Sequence, residues 1–245
     1  QSYTGKDVII GIVDWGFEYA HPVFFDTSLT TYRVLASWDQ VRTSGNPPVG
    51  FNYGTLLDNT VDLLNMEVDT FSSTSTYHGT HVAGIAGGSG GGTVYRGVGF
   101  ESDLLFSQMK SGYTSASLDA YQWMYEKATS VGKRLVINNS FGSMRTNPLD
   151  GTSLLSQAID SYIDSGVVFV VSGGNSSGVN HHIRRDFNND SIKTRISGFA
   201  YANDTLLWGQ TISTWGEPGN NYSCRLRLLS GNSVLLKQTP LFNTL

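Results

Sequence analysis

The sequence predicts an α/β protein in which a parallel sheet is flanked by helices and is followed by an antiparallel β-rich segment. Up to residue 178, continuous β-branched runs alternate with stretches whose apolar residues recur at helical spacing, a pattern typical of parallel strands joined by helices. Beyond that point the helical spacing disappears, and short alternating runs between turn residues indicate antiparallel strands. We therefore expect two parts, residues 1–178 and residues 179–245.

Five strands and three helices are predicted in the first part. The strands are runs of apolar and β-branched residues, at 8–13, 34–38, 103–109, 135–138 and 167–171, and the first and last are expected to be buried. One helix is expected to begin at His78, one at Leu118 with Ser117 as its cap, and one to span residues 155–163 and end at Gly166. In the second part, the predicted strands are residues 194–201, 206–214, 223–229 and 233–237.

Composition excludes several classes of protein. The 245 residues are 39% hydrophobic, enough for a packed core, and the net charge of −4 gives no reason to expect nucleic acid as a partner. No apolar run approaches the roughly 18 residues of a membrane span. A single cysteine excludes an internal disulfide framework and a cysteine-based metal site. The low content of charged residues favours a secreted or cell-envelope protein, although no signal peptide is visible.

Asp14 directly follows the first predicted strand. The carboxyl ends of strands in an open α/β sheet form the edge at which ligands bind, so Asp14 is a candidate site residue. Aspartate in this position is also a common turn former, and Asp14 alone does not separate the two interpretations.

His78 stands at the predicted start of a helix of small residues. The positive end of the helix dipole disfavours the imidazolium, so the neutral ring can accept a proton near neutral pH. His81 follows one turn later, but a zinc pair of the His-Glu-x-x-His kind needs four-residue spacing and a glutamate, and neither is present. We therefore predict that His81 is a packed structural residue.

Four motifs occur in a characteristic order. They are Asp-Trp-Gly at 14–16, His-Gly-Thr-His-Val-Ala-Gly at 78–84, Val-Ile-Asn-Asn-Ser-Phe-Gly at 136–142 and Val-Val-Ser-Gly-Gly-Asn at 170–175. This succession resembles the subtilisin-like serine proteases (subtilases, peptidase family S8) over about residues 5–178, with the aspartate before the histidine as in that family. The resemblance implies a subtilisin-like parallel sheet.

The resemblance also implies roles for individual residues. Asp14 would orient His78, which would act as the general base, and the Asn175 side chain would donate to the oxyanion. Two segments would bind a polypeptide substrate in extended conformation: Ser140, Phe141 and Gly142 along its backbone, and Ser172, Gly173 and Gly174 around the side chain before the scissile bond. Both segments are also explained as a strand followed by a turn.

Two features depart from the family pattern. Trp15 stands where the family usually has a serine or threonine whose hydroxyl helps to orient the carboxylate, and we expect a tolerated change that lowers activity. The nucleophile motif, Gly-Thr-Ser followed by Met-Ala and a proline, does not occur between Asn175 and Leu245. The Gly-Thr-Ser at 151–153 precedes Asn175 and lacks that continuation, so we predict that Thr152 and Ser153 cap a helix.

These observations predict a serine endopeptidase that hydrolyses peptide bonds with an Asp/His/Ser triad, here a fragment that is inactive alone because its serine lies beyond Leu245. Residues 179–245 would begin a jelly-roll-like insertion of the kind some bacterial subtilases carry before that serine. The alternative is an inactive pseudoprotease that serves as a peptide-binding or structural module.

No metal or other cofactor is expected. His181 and His182 are interpreted as an exposed loop pair. Asp186, Asn188 and Asp190 have the alternating oxygen spacing of a calcium loop, but the glycine and the terminal glutamate of such a loop are missing. Calcium remains the weaker alternative.

Overall fold

The computed structural model describes residues 3–72, 77–110, 113–142, 150–175, 177, 183–186, 191–196, 212–216, 219–231 and 233–243. Contacts between Cα atoms divide the chain into two compact units. The first is Gln1–Met144 with Leu149–Asn180, and the second is Arg145–Pro148 with His181–Leu245.

A mostly parallel sheet of six strands forms the centre of the first unit. The strands are β1 (Val8–Asp14), β2 (Val34–Asp39), β3 (Thr55–Leu57), β4 (Asp103–Gln108), β5 (Arg134–Asn139) and β6 (Val168–Val171), in the spatial order β3-β2-β4-β1-β5-β6. Only β3 runs antiparallel to its neighbour. The predicted fold class is confirmed, and β3 is the strand that the sequence patterns missed.

Helices cover both faces of this sheet. They are α1 (Thr60–Met66), α2 (His78–Gly87), α3 (Thr114–Ser130) and α4 (Leu154–Asp164), with a 3-10 turn at Pro22–Phe24. Strand β1 is buried on both faces, as predicted: Ile9 belongs to the apolar cluster that α3 covers, and Ile12 to the cluster that α2 covers. A Cβ at Gly11 would lie 2.6 Å from the Met124 Sδ, so α3 packs closely on β1 because residue 11 has no side chain.

Helix α3 begins earlier than predicted. Its first residue is Thr114, and Ser117 is not a cap but a buried residue of the first turns whose Oγ donates to the Met109 sulfur at 3.4 Å. The Gln40 Nε2 also donates to the Ala116 carbonyl at 2.8 Å. Tertiary contacts therefore hold the start of this helix, and the prediction from a local capping residue was wrong.

Helix α4 begins as predicted, at a serine cap. The Ser153 Oγ accepts from the Ser156 amide at 3.1 Å, which satisfies one of the free donors of the first turn. Thr152 instead donates from its hydroxyl to Asp150, at 2.7 Å. Gly166, with φ of +87°, ends the helix, and its amide donates a hydrogen bond to the Ile163 carbonyl.

The strand predicted at 167–171 is present as β6, but the expectation that it is buried was wrong. Val168, Val170 and Val171 are 54%, 49% and 61% exposed. The reason is that β6 is an edge strand among the described residues, paired with β5 alone.

The second unit contains two antiparallel pairs. They are β7 (Ser223–Cys224) with β10 (Phe242–Asn243), and β8 (Arg227–Leu229) with β9 (Leu235–Gln238). Antiparallel structure is thus confirmed at 223–229 and 233–237, although the predicted strand 223–229 is divided into β7 and β8, which belong to different sheets. Most of the predicted strands 194–201 and 206–214 lies outside the described residues. No helix in the described part of the chain has the length and apolar character needed to cross a bilayer.

Candidate active site

The candidate residues collect where the parallel strands end. Asp14 is the last residue of β1 and lies in register with Gln108, the last residue of β4. Asn139 ends β5 in register with Val171, which ends β6. Segments 140–142 and 172–175 follow these last two strands, so they leave the sheet at the edge that carries Asp14, where ligands bind in open α/β sheets.

Asp14 and His78 form a hydrogen-bonded pair at this edge. The His78 Nδ1 lies 2.7 Å from the Asp14 Oδ1, although 64 residues separate the two in the chain. The carboxylate is fully buried, whereas the imidazole side chain is 39% exposed. A neutral imidazole that donates from Nδ1 carries its lone pair on Nε2, so the ring can accept a proton from a third group.

The Asp14 carboxylate is held through one of its oxygens. Besides His78, the Trp15 amide donates to Oδ1 at 2.8 Å, and the buried Oδ2 has no hydrogen-bond partner among the described residues. Burial raises the pKa of Asp14, the bonds from His78 and Trp15 oppose that rise, and the charge of Asp69 adds to it.

Backbone hydrogen bonds place His78 beside Asp14. The cap residue Tyr77 provides no side-chain bond to the start of α2. Instead the Gly79 amide donates to the Trp15 carbonyl at 2.6 Å, and the Thr80 amide to the Gly16 carbonyl at 3.0 Å. A Cβ at Gly79 would lie 2.7 Å from the Phe17 ring and 2.9 Å from the Trp15 oxygen, so this approach requires glycine.

Thr80 strengthens the same junction with its side chain. Its hydroxyl donates to the Gly16 carbonyl at 3.0 Å and accepts from the Glu18 amide at 2.7 Å. The first turn of α2 is therefore tied to the chain immediately after Asp14 by both backbone and side chain.

Asp69 is a second buried carboxylate, and it joins the chain that follows Asp14 to Ser72. Its Oδ2 accepts from the amides of Gly16 and Phe17 at 2.8 and 3.0 Å, and its Oδ1 accepts from the Ser72 amide and hydroxyl at 2.7 and 2.6 Å. The sequence patterns missed Asp69, because a single aspartate in an irregular loop carries no local mark. The sequence patterns also assigned no role to Thr80, although it lies inside the histidine motif at 78–84.

The segment after β5 lies beside Trp15, the residue that follows Asp14. The Asn138 Nδ2 donates to the Ser140 Oγ at 3.0 Å. The Phe141 ring is 6.4 Å from the Trp15 ring, between centroids. Gly142 is exposed, and a Cβ there would have no neighbour within 4 Å among the described residues.

The segment after β6 is exposed and open. The Ser172 amide donates to the Asn139 carbonyl at 3.0 Å. A Cβ at Gly173 would meet none of the described residues within 4 Å, and Gly174 has the glycine-type φ of +86°. Asn175 is exposed. Among the described residues no hydrogen bond joins Asn175 to Asp14 or His78. The structure therefore brings Asp14 and His78 together and places Asn175 after the strand that ends at the same edge of the sheet.

His81 is exposed, so the prediction of a packed residue was wrong. Helix α2 buries the face formed by Gly79, Thr80, Ala83 and Gly87, and His81 lies off that face.

In the described part of the chain, no three His, Cys, Asp or Glu side chains are grouped as metal ligands. Asp186 is exposed. His181, His182, Asn188 and Asp190 lie outside the described residues.

Two solved structures resemble the fold. The CspB protease of Clostridium perfringens superposes with a TM-score of 0.55 and 26% sequence identity, over 69% of this chain and 35% of that one. Sphericase gives a TM-score of 0.52 and 26% identity, over 74% of this chain and 50% of that one.

Curated relatives are named as proteases. The chain is 28% identical over 179 residues to the subtilase-type proteinase RRT12 of Saccharomyces cerevisiae, covering 71% of this chain and 28% of that protein. It is 29% identical to the minor extracellular protease Vpr of Bacillus subtilis, of which it spans 18%. It is 26% identical to subtilisin DY of Bacillus licheniformis over 96% of this chain and 74% of that protein.

A family model described as "Subtilase family" matches residues 5–206, a range that includes β1, α2, β5 and β6 and the pair at their edge. This match covers most of the chain and agrees with the relatives and with the fold. The chain therefore belongs to the subtilase family of proteases, peptidase family S8.

Proposed function

We propose that this protein is a serine endopeptidase in which Asp14 orients His78 and His78 acts as the general base. The observation that supports this most directly is the 2.7 Å bond between a buried carboxylate and a half-exposed imidazole at the ligand-binding edge of the sheet. In this role His78 would take the proton of a serine hydroxyl through Nε2 and later give it to the leaving amine. Asp14 would hold the tautomer and stabilise the imidazolium.

The other candidate residues complete the proposed site. Asn175 would donate its side-chain N–H to the oxyanion, an interaction worth about 3 kcal/mol. Residues 140–142 would add an extended polypeptide substrate as a strand, and residues 172–174 would line the pocket for the side chain before the scissile bond. The absence of described residues within 4 Å of a Cβ at Gly142 or Gly173 supports these assignments.

We propose that the serine comes from outside the 245 residues. The family's nucleophile motif does not occur after Asn175 in this sequence, and Ser153 is engaged as the cap of α4. The chain also spans only 28% and 18% of two protease relatives. The name of the extracellular relative Vpr supports a secreted or cell-envelope location for this protein as well.

Fluorophosphonate labelling and peptide hydrolysis by the full-length protein test this proposal. We expect labelling of one serine, and a loss of kcat of about 10⁴-fold or more in His78→Ala. The matched control is His81→Ala, which removes an exposed imidazole one turn later on α2 and should retain activity. A full-length protein that neither reacts with the probe nor cleaves peptides would contradict the proposal and favour the pseudoprotease.

A further inference from the structure

Trp15 contacts both members of the Asp14–His78 pair. Its backbone amide donates to the Asp14 Oδ1 at 2.8 Å. Its indole stacks on the His78 imidazole, with ring centroids 5.1 Å apart and planes inclined by only 15°. One residue thus contacts the carboxylate through its backbone and the imidazole through its side chain.

The indole is itself held in place by two further rings. Phe71 lies edge-on to it at 6.2 Å between centroids, with planes at 61°. Phe141, from the segment after β5, lies at 6.4 Å with planes at 51°. Trp15 is only partly buried, but these contacts restrict its side chain, and a restricted indole can restrict the ring stacked on it.

The pair needs such a restraint because its hydrogen bonds converge on one atom. Both donors to Asp14 end on Oδ1, and Oδ2 has no partner among the described residues. A single bond from Nδ1 fixes one end of the imidazole and lets the ring tilt about the Nδ1–Oδ1 direction. A parallel indole limits this tilt, and its negative face also favours the positive charge that the ring acquires when it takes a proton.

We propose that Trp15 is a positioning residue for His78, with indole stacking in place of a side-chain hydrogen bond to the second oxygen of Asp14. The stack restricts the plane of the imidazole while its Nδ1 is bonded to Asp14. The catalytic consequence rests on the proposed function, whereas the geometric restraint does not. In this role Trp15 supports the function of His78, in contrast to the expectation that it is a tolerated change that lowers activity.

NMR of the full-length protein tests the stack, on which the restraint depends, without any need for activity. The ring C–H signals of His78 are assigned by their disappearance in His78→Gln. We expect them to lie upfield because they sit over the indole face, to move downfield in Trp15→Leu, and to return most of the way in Trp15→Phe, which restores a ring. Phe25→Leu is the control, since it removes a ring from the separate Phe25–Tyr32 pair.

Kinetics of the same variants test the catalytic consequence. A stacked aromatic pair is worth enough to give about a three- to tenfold fall in kcat in Trp15→Leu, with partial rescue in Trp15→Phe. KM should change less than about twofold, because the indole acts on His78 rather than on bound peptide. Thermal unfolding of each variant shows whether a loss of kcat reflects a loss of fold, and Trp15→Met serves in place of Trp15→Leu if the latter does not fold.

The outcomes separate this inference from the proposed function. His78 signals that stay unmoved in both Trp15→Leu and Trp15→Met overturn the inference, even in an active enzyme. A wild-type protein without protease activity whose His78 signals move as expected overturns the proposed function and retains the restraint. Moved signals with unchanged kcat overturn the catalytic consequence of the stack.

Discussion

At the scale of single residues, Asp14 places a carboxylate where the fold disfavours its charge. Burial raises the pKa of Asp14, so the folded chain binds the proton more tightly than the unfolded chain does. Its charged form therefore lowers the stability of the folded state at pH values above the folded-state pKa. This cost disappears as the pH falls through that pKa towards the ordinary value of 3.8 and below.

Asp14→Asn should make the protein more stable and less active. At neutral pH the neutral amide avoids the desolvation cost, so we expect a higher Tm than in the wild type, with the difference vanishing in acid. Activity of the full-length protein should fall by about 10⁴-fold, because the imidazole loses its orienting carboxylate. The measurement is the Tm of both proteins as a function of pH. An Asp14→Asn variant with a lower Tm than the wild type at neutral pH would contradict the prediction.

At the scale of elements, the position of α2 depends on its close approach to the chain after β1. Gly79 permits this approach, and the Gly79 and Thr80 amides bond to carbonyls of residues 15 and 16. Asp69 ties the same chain to the loop before α2. The imidazole of His78 is thus located by a helix that is fixed at its first turn.

Gly79→Ala should displace the first turn of α2. The added methyl would lie 2.7 Å from the Phe17 ring, and overpacking of this kind costs about 1–3 kcal/mol of unfolding free energy. Gly84→Ala is the matched control in the same helix, since among the described residues outside that helix's own backbone its methyl meets only the Val23 Cγ2, at 4.0 Å. Alanine there should be neutral or stabilising by up to about 1 kcal/mol. Urea unfolding compares the two variants, and equal stability would refute the steric role of Gly79.

At the scale of the whole molecule, an apolar sheet edge stands out. Val168, Val170 and Val171 on β6 are half or more exposed, and β6 pairs on one side only among the described residues. An exposed apolar edge strand offers unpaired backbone groups and invites pairing with another chain.

The 245-residue chain should therefore self-associate, and Val170→Lys should reduce that association, because an edge lysine opposes strand pairing. Sedimentation velocity over a range of concentrations is the measurement. Val49→Lys is the matched control, since Val49 is 95% exposed and lies outside the strands, so the same added charge there should leave association unchanged. A monomeric wild-type chain at all concentrations would refute the prediction.

The sequence by itself determined the parallel sheet and the segments that line its edge. The β-branched runs predicted β1, β2, β4, β5 and β6 to within one or two residues. For β1 the reason is that a strand buried on both faces must be continuously apolar, whereas β6 has the same apolar pattern although it is exposed. The order of motifs identified Asp14, His78 and Asn175 as candidates through a family resemblance rather than through spacing. The cap of α4 at Ser153 followed from a local hydrogen bond, and local bonds can be predicted from local sequence.

Only the tertiary structure decided what depends on residues far apart in the chain. The start of α3 and the hydrogen bonds that Asp69 accepts from Gly16, Phe17 and Ser72 reflect contacts across the fold. The exposure of β6 reflects its surroundings among the described residues. The same holds for the indole of Trp15, which the sequence presents as a departure from a family pattern and the fold places against His78. Such contacts cannot be derived from periodicity, because periodicity records which face of an element is buried and not which side chain lies against it.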